Sequence, residues 1–223
     1  MSSFSSNLSD RDYTVSIGQY FGRGWEIFKQ FAGAFVVYTL LLTIVAIVIA
    51  NLPAPLGNGS EGEPGILSSI YQLIFAPILF AGYYIVAFQI ARNRPREFSD
   101  FFRGFNKFLP IFLVSLVSGV LIALGFVLLI VPGLYLAVAY LFAQPLVIDK
   151  NIDFWQALET SRQIITKKWF SFFGLAILLV LLNLAGILAL GVGILVTLPW
   201  TICILTAAYE NVVGLNSVSE AAP

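Results

Sequence analysis

The amino-acid sequence predicts an all-α integral membrane protein with six transmembrane helices and an amphipathic interfacial helix before spans one, three and five. Three observations support this fold class. Of 223 residues, 59% are hydrophobic and only 11% are charged, whereas about 25% of residues are charged in soluble domains. The charged residues lie between apolar runs of about 20 residues, the length that crosses a bilayer. The basic residues occupy alternate intervals between those runs, as expected for short cytoplasmic loops.

Spans one and two are predicted over residues 31–50 and 66–91. The first run lies too far from Met1, behind too polar a lead, to be a cleaved signal peptide. The loop between the two spans contains prolines and glycines that break helices, and its two charges, Glu61 and Glu63, are both acidic. Pro77 is expected to kink the second span.

Spans three and four are predicted over residues 109–130 and 134–148, within a run of 40 residues that carries no charge. Such a run is too long for one crossing and suits two crossings that are joined by a tight turn. The turn is predicted at Val131, Pro132 and Gly133, because proline and glycine together stop a helix and reverse the chain.

Spans five and six are predicted over residues 171–190 and 194–210 by the same argument. Gly191 and Gly193 provide the reversal between them, and Pro199 is expected to kink span six.

We call the three predicted interfacial helices segments A, B and C; they cover residues 14–30, 97–108 and 153–169. In each segment apolar side chains recur every three or four residues, which places them on one stripe of a helix. In segment B this stripe consists of Phe98, Phe101, Phe102, Phe105 and Phe108. Helices with such a stripe and a basic opposite face lie in the headgroup region of a membrane.

Segments A and B also share a motif, Phe-x-Arg-Gly-aromatic-x-x-Phe, at residues 21–28 and 101–108. Segment C fits this motif only loosely. The sequence therefore predicts a threefold pseudo-repeat of interfacial helix plus helical hairpin, within a single membrane domain that covers residues 1–223. Tandem copies in the same orientation would pack around an axis normal to the membrane.

Asp149 and Glu210 are the first candidate site residues. Each closes an even-numbered span at its C-terminal end, where a negative charge opposes the helix dipole and requires a basic partner. The interfacial segments supply Arg23, Arg103, Arg162 and Lys167. We therefore expect salt bridges that attach these segments to the bundle.

Asn183 is the most polar side chain near the middle of span five, and it has two interpretations. It either binds a substrate or forms a hydrogen bond between helices, and the same alternatives apply to Gln144 in span four. Small residues that allow close helix contact, within the monomer or between subunits, are Gly119, Ala123, Ala185 and Ala189.

The basic residues determine the expected topology. All 12 of them lie before span one, between spans two and three, or between spans four and five. Six crossings place these intervals on one side, so both termini are expected in the cytoplasm, with the spans in a bacterial inner membrane or an internal membrane such as a thylakoid. The run RNRPR at residues 92–96 either binds anionic headgroups or an acidic partner, or only fixes orientation.

Composition argues against several classes of function. Histidine is absent, which removes the commonest general base and the commonest metal ligand. The single cysteine, Cys203, excludes a disulfide framework within the chain and a cysteine-cluster metal site. The zero net charge gives no sign of a nucleic-acid partner. We therefore expect no enzymatic activity, no cofactor and no metal ion.

The stretch at residues 131–165 resembles the signature of a broad bacterial group of polytopic membrane proteins, and it is similar to the membrane domain attached to some glycerophosphodiester phosphodiesterases. The residues that carry the resemblance are Pro132, Gly133, Tyr140, Pro145, Asp149, Ala157, Leu158, Ser161 and Arg162. In the fused relatives the phosphodiesterase chemistry belongs to a separate soluble barrel domain, which we do not expect here. The resemblance implies a helical bundle with some connection to membrane lipids or envelope upkeep.

Two functions fit these expectations. The first is a non-enzymatic accessory, assembly or scaffold subunit, with membrane lipids and a membrane protein complex or a homo-oligomer as partners. The alternative is a transporter or lipid-handling protein, because Pro77, Pro145 and Pro199 could open a cavity for amphipathic molecules. The lack of charge inside the spans argues against coupled transport.

Overall fold

The computed structural model describes residues 13–53, 65–189 and 191–215. Within these ranges the protein is all-α, and six helices are long and apolar enough to span a membrane. The predicted fold class is therefore confirmed. Glu61 and Glu63 of the predicted acidic loop lie outside the described residues.

The six spans fall close to their predicted positions. The odd-numbered spans are single helices: Ala32–Ala50, Phe108–Leu128 and Trp169–Leu188. Span two combines Ile66–Ile70, a π-helical turn at Tyr71–Phe75 and Ala76–Ala91. Span four combines Ile130–Ala139 and Ala143–Lys150, and span six is Ile194–Val212. Segments A, B and C are Ile17–Lys29, Phe98–Lys107 and Phe154–Thr166.

Pro77 and Pro145 lie next to local departures from α-helix in spans two and four, whereas Pro199 does not. Pro77 follows the π-helical turn of span two, and such a turn gives room for a residue that cannot donate a backbone hydrogen bond. Pro145 lies in the first turn of the second half of span four, after a break at residues 140–142. Pro199 lies inside the helix of span six.

The turn between spans three and four differs from the prediction. The chain reverses at Leu129, whose φ of −163° and ψ of 151° are extended, and span four begins at the next residue. Pro132 therefore lies in the first turn of span four, where a missing N–H leaves no helical hydrogen bond unmade. Gly133 allows spans three and four to approach closely at Gly125, because a Cβ on Gly125 would lie 2.8 Å from the Gly133 Cα atom.

The turn between spans five and six agrees with the prediction. Gly191 has a φ of 75°, a conformation that residues with a side chain rarely adopt. Gly193 then allows close contact between the two spans, because a Cβ on this residue would lie 2.6 Å from the carbonyl oxygen of Gly186.

Segment B is a 3-10 helix, not the α-helix that the aromatic spacing predicts. With three residues per turn, Phe98, Phe101 and Gly104 share one face. Phe101 is fully buried, and its ring stacks on that of Tyr38 with a centroid distance of 4.3 Å. The predicted headgroup stripe is thus wrong for Phe101, because this side chain packs inside the protein.

The even-numbered spans form the interior of the bundle. Within an apolar stretch of 18 residues from each span, 50%, 44% and 50% of the residues are buried in spans two, four and six, compared with 17%, 17% and 22% in spans one, three and five. The even-numbered spans therefore make an inner group, and the odd-numbered spans lie around it. They also end alike, since each is followed by a residue with positive φ: Asn93, Asn151 and Gly214.

Each segment packs against one even-numbered span: segments B and C on the span that precedes them in the chain, and segment A on span six. A Cβ on Gly104 of segment B would lie 2.6 Å from the Ile78 carbonyl oxygen of span two. In segment C, the Ser161 hydroxyl donates to the carbonyl oxygen of Ala139 in span four, at 2.7 Å. A Cβ on Gly24 of segment A would lie 2.7 Å from the Ile204 Cα atom of span six. This cyclic order is what a threefold pseudo-repeat requires.

Candidate functional site

A cluster of charged side chains joins the ends of the three inner spans. The Asp149 side chain, at the end of span four, is fully buried. Its Oδ1 accepts from the Arg92 guanidinium at the end of span two. Its Oδ2 accepts from the Tyr209 hydroxyl of span six at 2.9 Å and lies 3.2 Å from Lys150 Nζ. We call this end, which also carries segments A, B and C, the charged end of the bundle.

The partners of Asp149 differ from the prediction, which placed them on the interfacial segments. Arg103 of segment B instead pairs with Asp100, with Nε 2.7 Å from Oδ1, and Arg162 of segment C pairs with Glu159 at 2.6 Å. Both are pairs between residues three positions apart on one element, which form without any tertiary contact. Asp149 instead pairs with Arg92 of the neighbouring inner span, because spans two and four end at the same level.

For Glu210 the expected salt bridge to an interfacial segment is present, and of the four candidate basic residues it is Arg23 that forms it. Arg23 of segment A places Nε 3.2 Å from Oε2 and Nη2 3.3 Å from Oε1, so the pair has two hydrogen bonds. Next to it the Tyr20 hydroxyl donates to Asn211 Oδ1 at 2.9 Å. These contacts attach segment A to span six. Hydrogen bonding to Glu210 raises the pKa of Arg23, so the guanidinium stays charged.

Two lysines complete the cluster around Asp149. Lys107, the last residue of segment B, donates to the carbonyl oxygen of Ile148 at 3.0 Å. Lys150 donates to the carbonyl oxygen of Gly214 at 2.9 Å, which joins the ends of spans four and six. The sequence contained one signal for this arrangement, since the pairs Arg92-Asn93 and Lys150-Asn151 each close an inner span.

Asn183 lies at the contact between spans five and six. Its Nδ2 donates to Thr201 Oγ1 at 2.7 Å and to the Leu179 carbonyl oxygen at 2.8 Å. Gln144 of span four likewise donates to the Pro77 carbonyl oxygen of span two at 2.9 Å. Both contacts correspond to the hydrogen-bond interpretation of these residues. Asn183 Oδ1 is buried and has no donor within the described ranges.

A groove between spans five and six surrounds Asn183. It has a volume of about 430 Å³ and an almost entirely apolar lining. The lining consists of Leu141, Ala176, Leu179, Val180, Asn183, Leu184, Ile187, Thr201 and Leu205. Asn183 and Thr201 are therefore the polar contacts that a molecule in this groove would meet.

The predicted small-residue pairs lie on the outer surface of the bundle. No atom of the described chain comes within 4 Å of a Cβ built on Gly119 in span three. Ala123, Ala185 and Ala189 are also exposed. Of the two alternatives for these pairs, close contact within the monomer is therefore wrong.

Comparison with known proteins returns no matching family model, no matching curated protein and no matching solved structure. The resemblance to the membrane domain of glycerophosphodiester phosphodiesterases stays a prediction. What the described residues establish is a membrane-spanning helical bundle whose inner spans are joined at one end by buried charges.

Proposed function

We propose that this chain is a non-enzymatic scaffold or assembly subunit that binds another membrane protein through its outer helices. The observation that carries the proposal is the open face of span three around Gly119. In this proposal the charged end faces the cytoplasm, as expected for basic segments. The membrane is a bacterial inner membrane or an internal one such as a thylakoid.

The face around Gly119 has the properties of a helix-packing surface. Gly119 and Ala123 lie one helical turn apart, and both are exposed. They are flanked by Val120 and Leu124, which are also exposed. Small residues at this spacing let a second helix approach closely, and van der Waals contact drives helix association in lipid.

The interior of the bundle supports a scaffold more than a transport path. The Tyr209 ring packs against Phe88 and Phe142, with centroid distances of 5.3 and 5.6 Å. All three side chains are at most 1% exposed. Because the inner spans are filled with packed rings at this level, the outer surface is the part that is available for binding.

Replacement of Gly119 by leucine tests the proposal. The side chain would fill the space that a partner helix requires. A Cβ at this exposed position lies within 4 Å of no other residue of the described chain, so the fold should be kept. Gly174 in span five is the matched control, because a Cβ there also meets nothing within 4 Å. Tagged copies at natural expression levels are extracted gently, and the protein that copurifies in fixed ratio is quantified.

We expect at least a tenfold loss of the partner from Gly119→Leu and little change with Gly174→Leu. Equal recovery of the partner with wild type and Gly119→Leu would contradict binding through this face. Absence of any protein in fixed ratio, including a second copy of the chain, would contradict the scaffold itself.

The groove around Asn183 favours a second candidate, a protein that binds amphipathic lipid-like molecules. An acyl or isoprenoid chain fits its aliphatic lining, in which Asn183 and Thr201 are the polar side chains. Mass spectrometry of copurified lipids tests this candidate. One enriched lipid class in wild type, lost in Asn183→Leu, would support it, whereas an unchanged lipid profile would contradict it.

A further inference from the structure

A group of basic side chains surrounds the point where span two ends. Arg92 and Arg94 flank Asn93, whose φ of 53° turns the chain out of the helix. Lys107 of segment B donates to the carbonyl oxygen of Ile148, and Arg92 donates to the carboxylate of the next residue, Asp149, so their charged groups meet at the same end of span four. Arg94 follows Arg92 at the same turn, where its backbone N–H donates to the Gln89 carbonyl oxygen. Three cations from two elements therefore converge here.

Asp149 cannot balance all three cations. One of its oxygens accepts from Arg92, and the other accepts from Tyr209 and lies beside Lys150. A single carboxylate carries one negative charge, and this one already faces two basic groups. Lys107 uses a backbone carbonyl instead, and in the described part of the chain neither Lys107 nor Arg94 forms an ion pair.

Burial increases the free-energy cost of this excess charge. The Arg92 side chain is only 17% exposed, and its Nε is buried without a hydrogen-bond acceptor among the described residues. Burial and the charge of Arg94 both lower the pKa of Arg92. A second anion beside these cations would compensate their charge.

We propose that a phosphate group binds between Arg92, Arg94 and Lys107. Phosphate oxygens accept paired hydrogen bonds from a guanidinium and attract an ammonium as a point charge. Apolar spans end at this level, which is the depth of lipid headgroups. Phe108 and Leu109 follow Lys107 directly and are 37% and 61% exposed, so the chains of a phospholipid can run beside span three.

Two sources share this chemistry, an anionic phospholipid and a soluble phosphate compound. The experiment uses the purified full chain in neutral detergent, and it measures the affinity of three probes from their effect on thermal unfolding. The probes are phosphatidylglycerol, diacylglycerol with the same acyl chains, and inorganic phosphate. The test variant is Arg94→Gln with Lys107→Gln. The control is Lys167→Gln with Lys168→Gln, two exposed lysines at the same end whose loss changes net charge equally.

Phosphatidylglycerol should bind wild type at least tenfold more tightly than diacylglycerol. The test variant should lose at least tenfold in that affinity, and the control should stay within about twofold. If inorganic phosphate binds as tightly as the lipid and loses affinity in the test variant but not in the control, the site is supported and its ligand is a soluble phosphate compound. Equal losses in test and control variants, or equal binding of diacylglycerol, would overturn the proposal.

Lys107 also supports span four through its bond to Ile148, so the double variant could lose stability for that reason alone. Arg94→Gln by itself provides the second measurement, because no hydrogen bond or ion pair of the Arg94 side chain is present in the described ranges. We expect at least a threefold loss of phosphatidylglycerol affinity and recovery in Arg94→Lys. Wild-type affinity in Arg94→Gln would overturn the proposal.

Discussion

At the scale of single residues, Asp149 is the side chain that joins the ends of the three inner spans. Its carboxylate is fully buried and contacts groups from spans two, four and six, so it fixes the ends of the inner spans relative to one another. Removing one partner of a buried ion pair leaves uncompensated charge in a medium of low dielectric constant. The exposed pair of Arg23 and Glu210 contributes less, because solvent screens it.

Asp149→Asn should destabilise the protein by about 3–5 kcal/mol, because the partly buried Arg92 guanidinium would lose the carboxylate that it contacts. Reversible unfolding in detergent measures this loss. Asp153→Asn is the matched control. Asp153 caps segment C by accepting from the Trp155 N–H, and asparagine caps a helix equally well. A stability change of similar size in both variants would contradict the assigned role of Asp149.

Gly24→Ala should detach segment A from span six. The new Cβ would lie 2.7 Å from two backbone atoms of Ile204, which cannot move aside as a side chain would. Overpacking of this kind costs about 1–3 kcal/mol. Gly22→Ala lies one half-turn earlier with no atom within 4 Å of the new Cβ, and it should be neutral or slightly stabilising. Unfolding curves that are identical for both variants would show that this contact is looser than described.

Sequence reasoning found the acidic residues of the charged end but not the basic partner of Asp149. Arg23 was among the four basic residues expected to pair with Asp149 or Glu210, and it pairs with Glu210. Arg92 was considered only as part of the run at residues 92–96, which either binds anionic headgroups or an acidic partner or fixes orientation. Its pairing with Asp149 was missed because one sequence does not show that spans two and four end at the same level. A basic residue followed by asparagine closes span two as Arg92-Asn93 and span four as Lys150-Asn151. This repetition became informative only when the structure showed Arg92 and Lys150 beside Asp149.

At the scale of elements, segment B shows how helix type changes the meaning of an aromatic pattern. Spacings of three and four residues describe one stripe only if the helix is α. In a 3-10 helix, Phe101 faces span one and span two, while Phe102 and Phe105 are 37% and 41% exposed. The stripe is therefore divided between packing inside the protein and contact with its surroundings.

Phe101→Ser and Phe105→Ser should separate these two roles. Phe101→Ser removes a fully buried ring that contacts Tyr38 and Phe35, and losses of about 3–5 kcal/mol are typical for such truncations. Phe105→Ser should change global stability by less than about 1 kcal/mol, as for surface positions. Unfolding in detergent, together with the rate of proteolysis within segment B, measures both. Equal effects of the two substitutions would contradict the 3-10 register.

The turns between spans were predictable in number but only partly in position. Proline and glycine identified the reversal before span four, yet the chain turns at Leu129, before Pro132. Proline tolerates the first turn of a helix, so it marks a boundary with an uncertainty of several residues. Gly191 was located correctly, because its positive φ belongs to the turn itself.

At the scale of the whole molecule, the arrangement of segments closes on itself. Segment B packs on span two and segment C on span four, each on the span that precedes it in the chain. Segment A precedes span one, yet it packs on span six. The motif shared by segments A and B predicted the repeat, but segment C was a weak match. Its contact uses the Ser161 hydroxyl at the break in span four, where the other two segments use a glycine.

This cyclic order predicts that the chain can be permuted by one repeat. In the permuted protein an added flexible glycine-serine linker joins Leu215 to Tyr13, and a new start is placed at Glu97, before segment B. Segment B would then dock on span two without a covalent connection, as segment A does on span six in the natural chain. We expect membrane insertion and a melting temperature in detergent within a few degrees of the natural protein.

A second permutation, opened between Lys107 and Phe108, is the control. Its new termini also lie at the charged end, and it has the same number of crossings. The cut, however, separates segment B from span three, which follow each other without a linker. It should be clearly less stable, because both new helix ends would expose backbone groups that are now bonded. Two results would contradict the prediction: equal stability of the two permuted proteins, or failure of the first to insert. Either would show that a segment and the inner span on which it packs do not form a repeating unit. The similarity of segments A and B would then reflect their common position before an odd-numbered span.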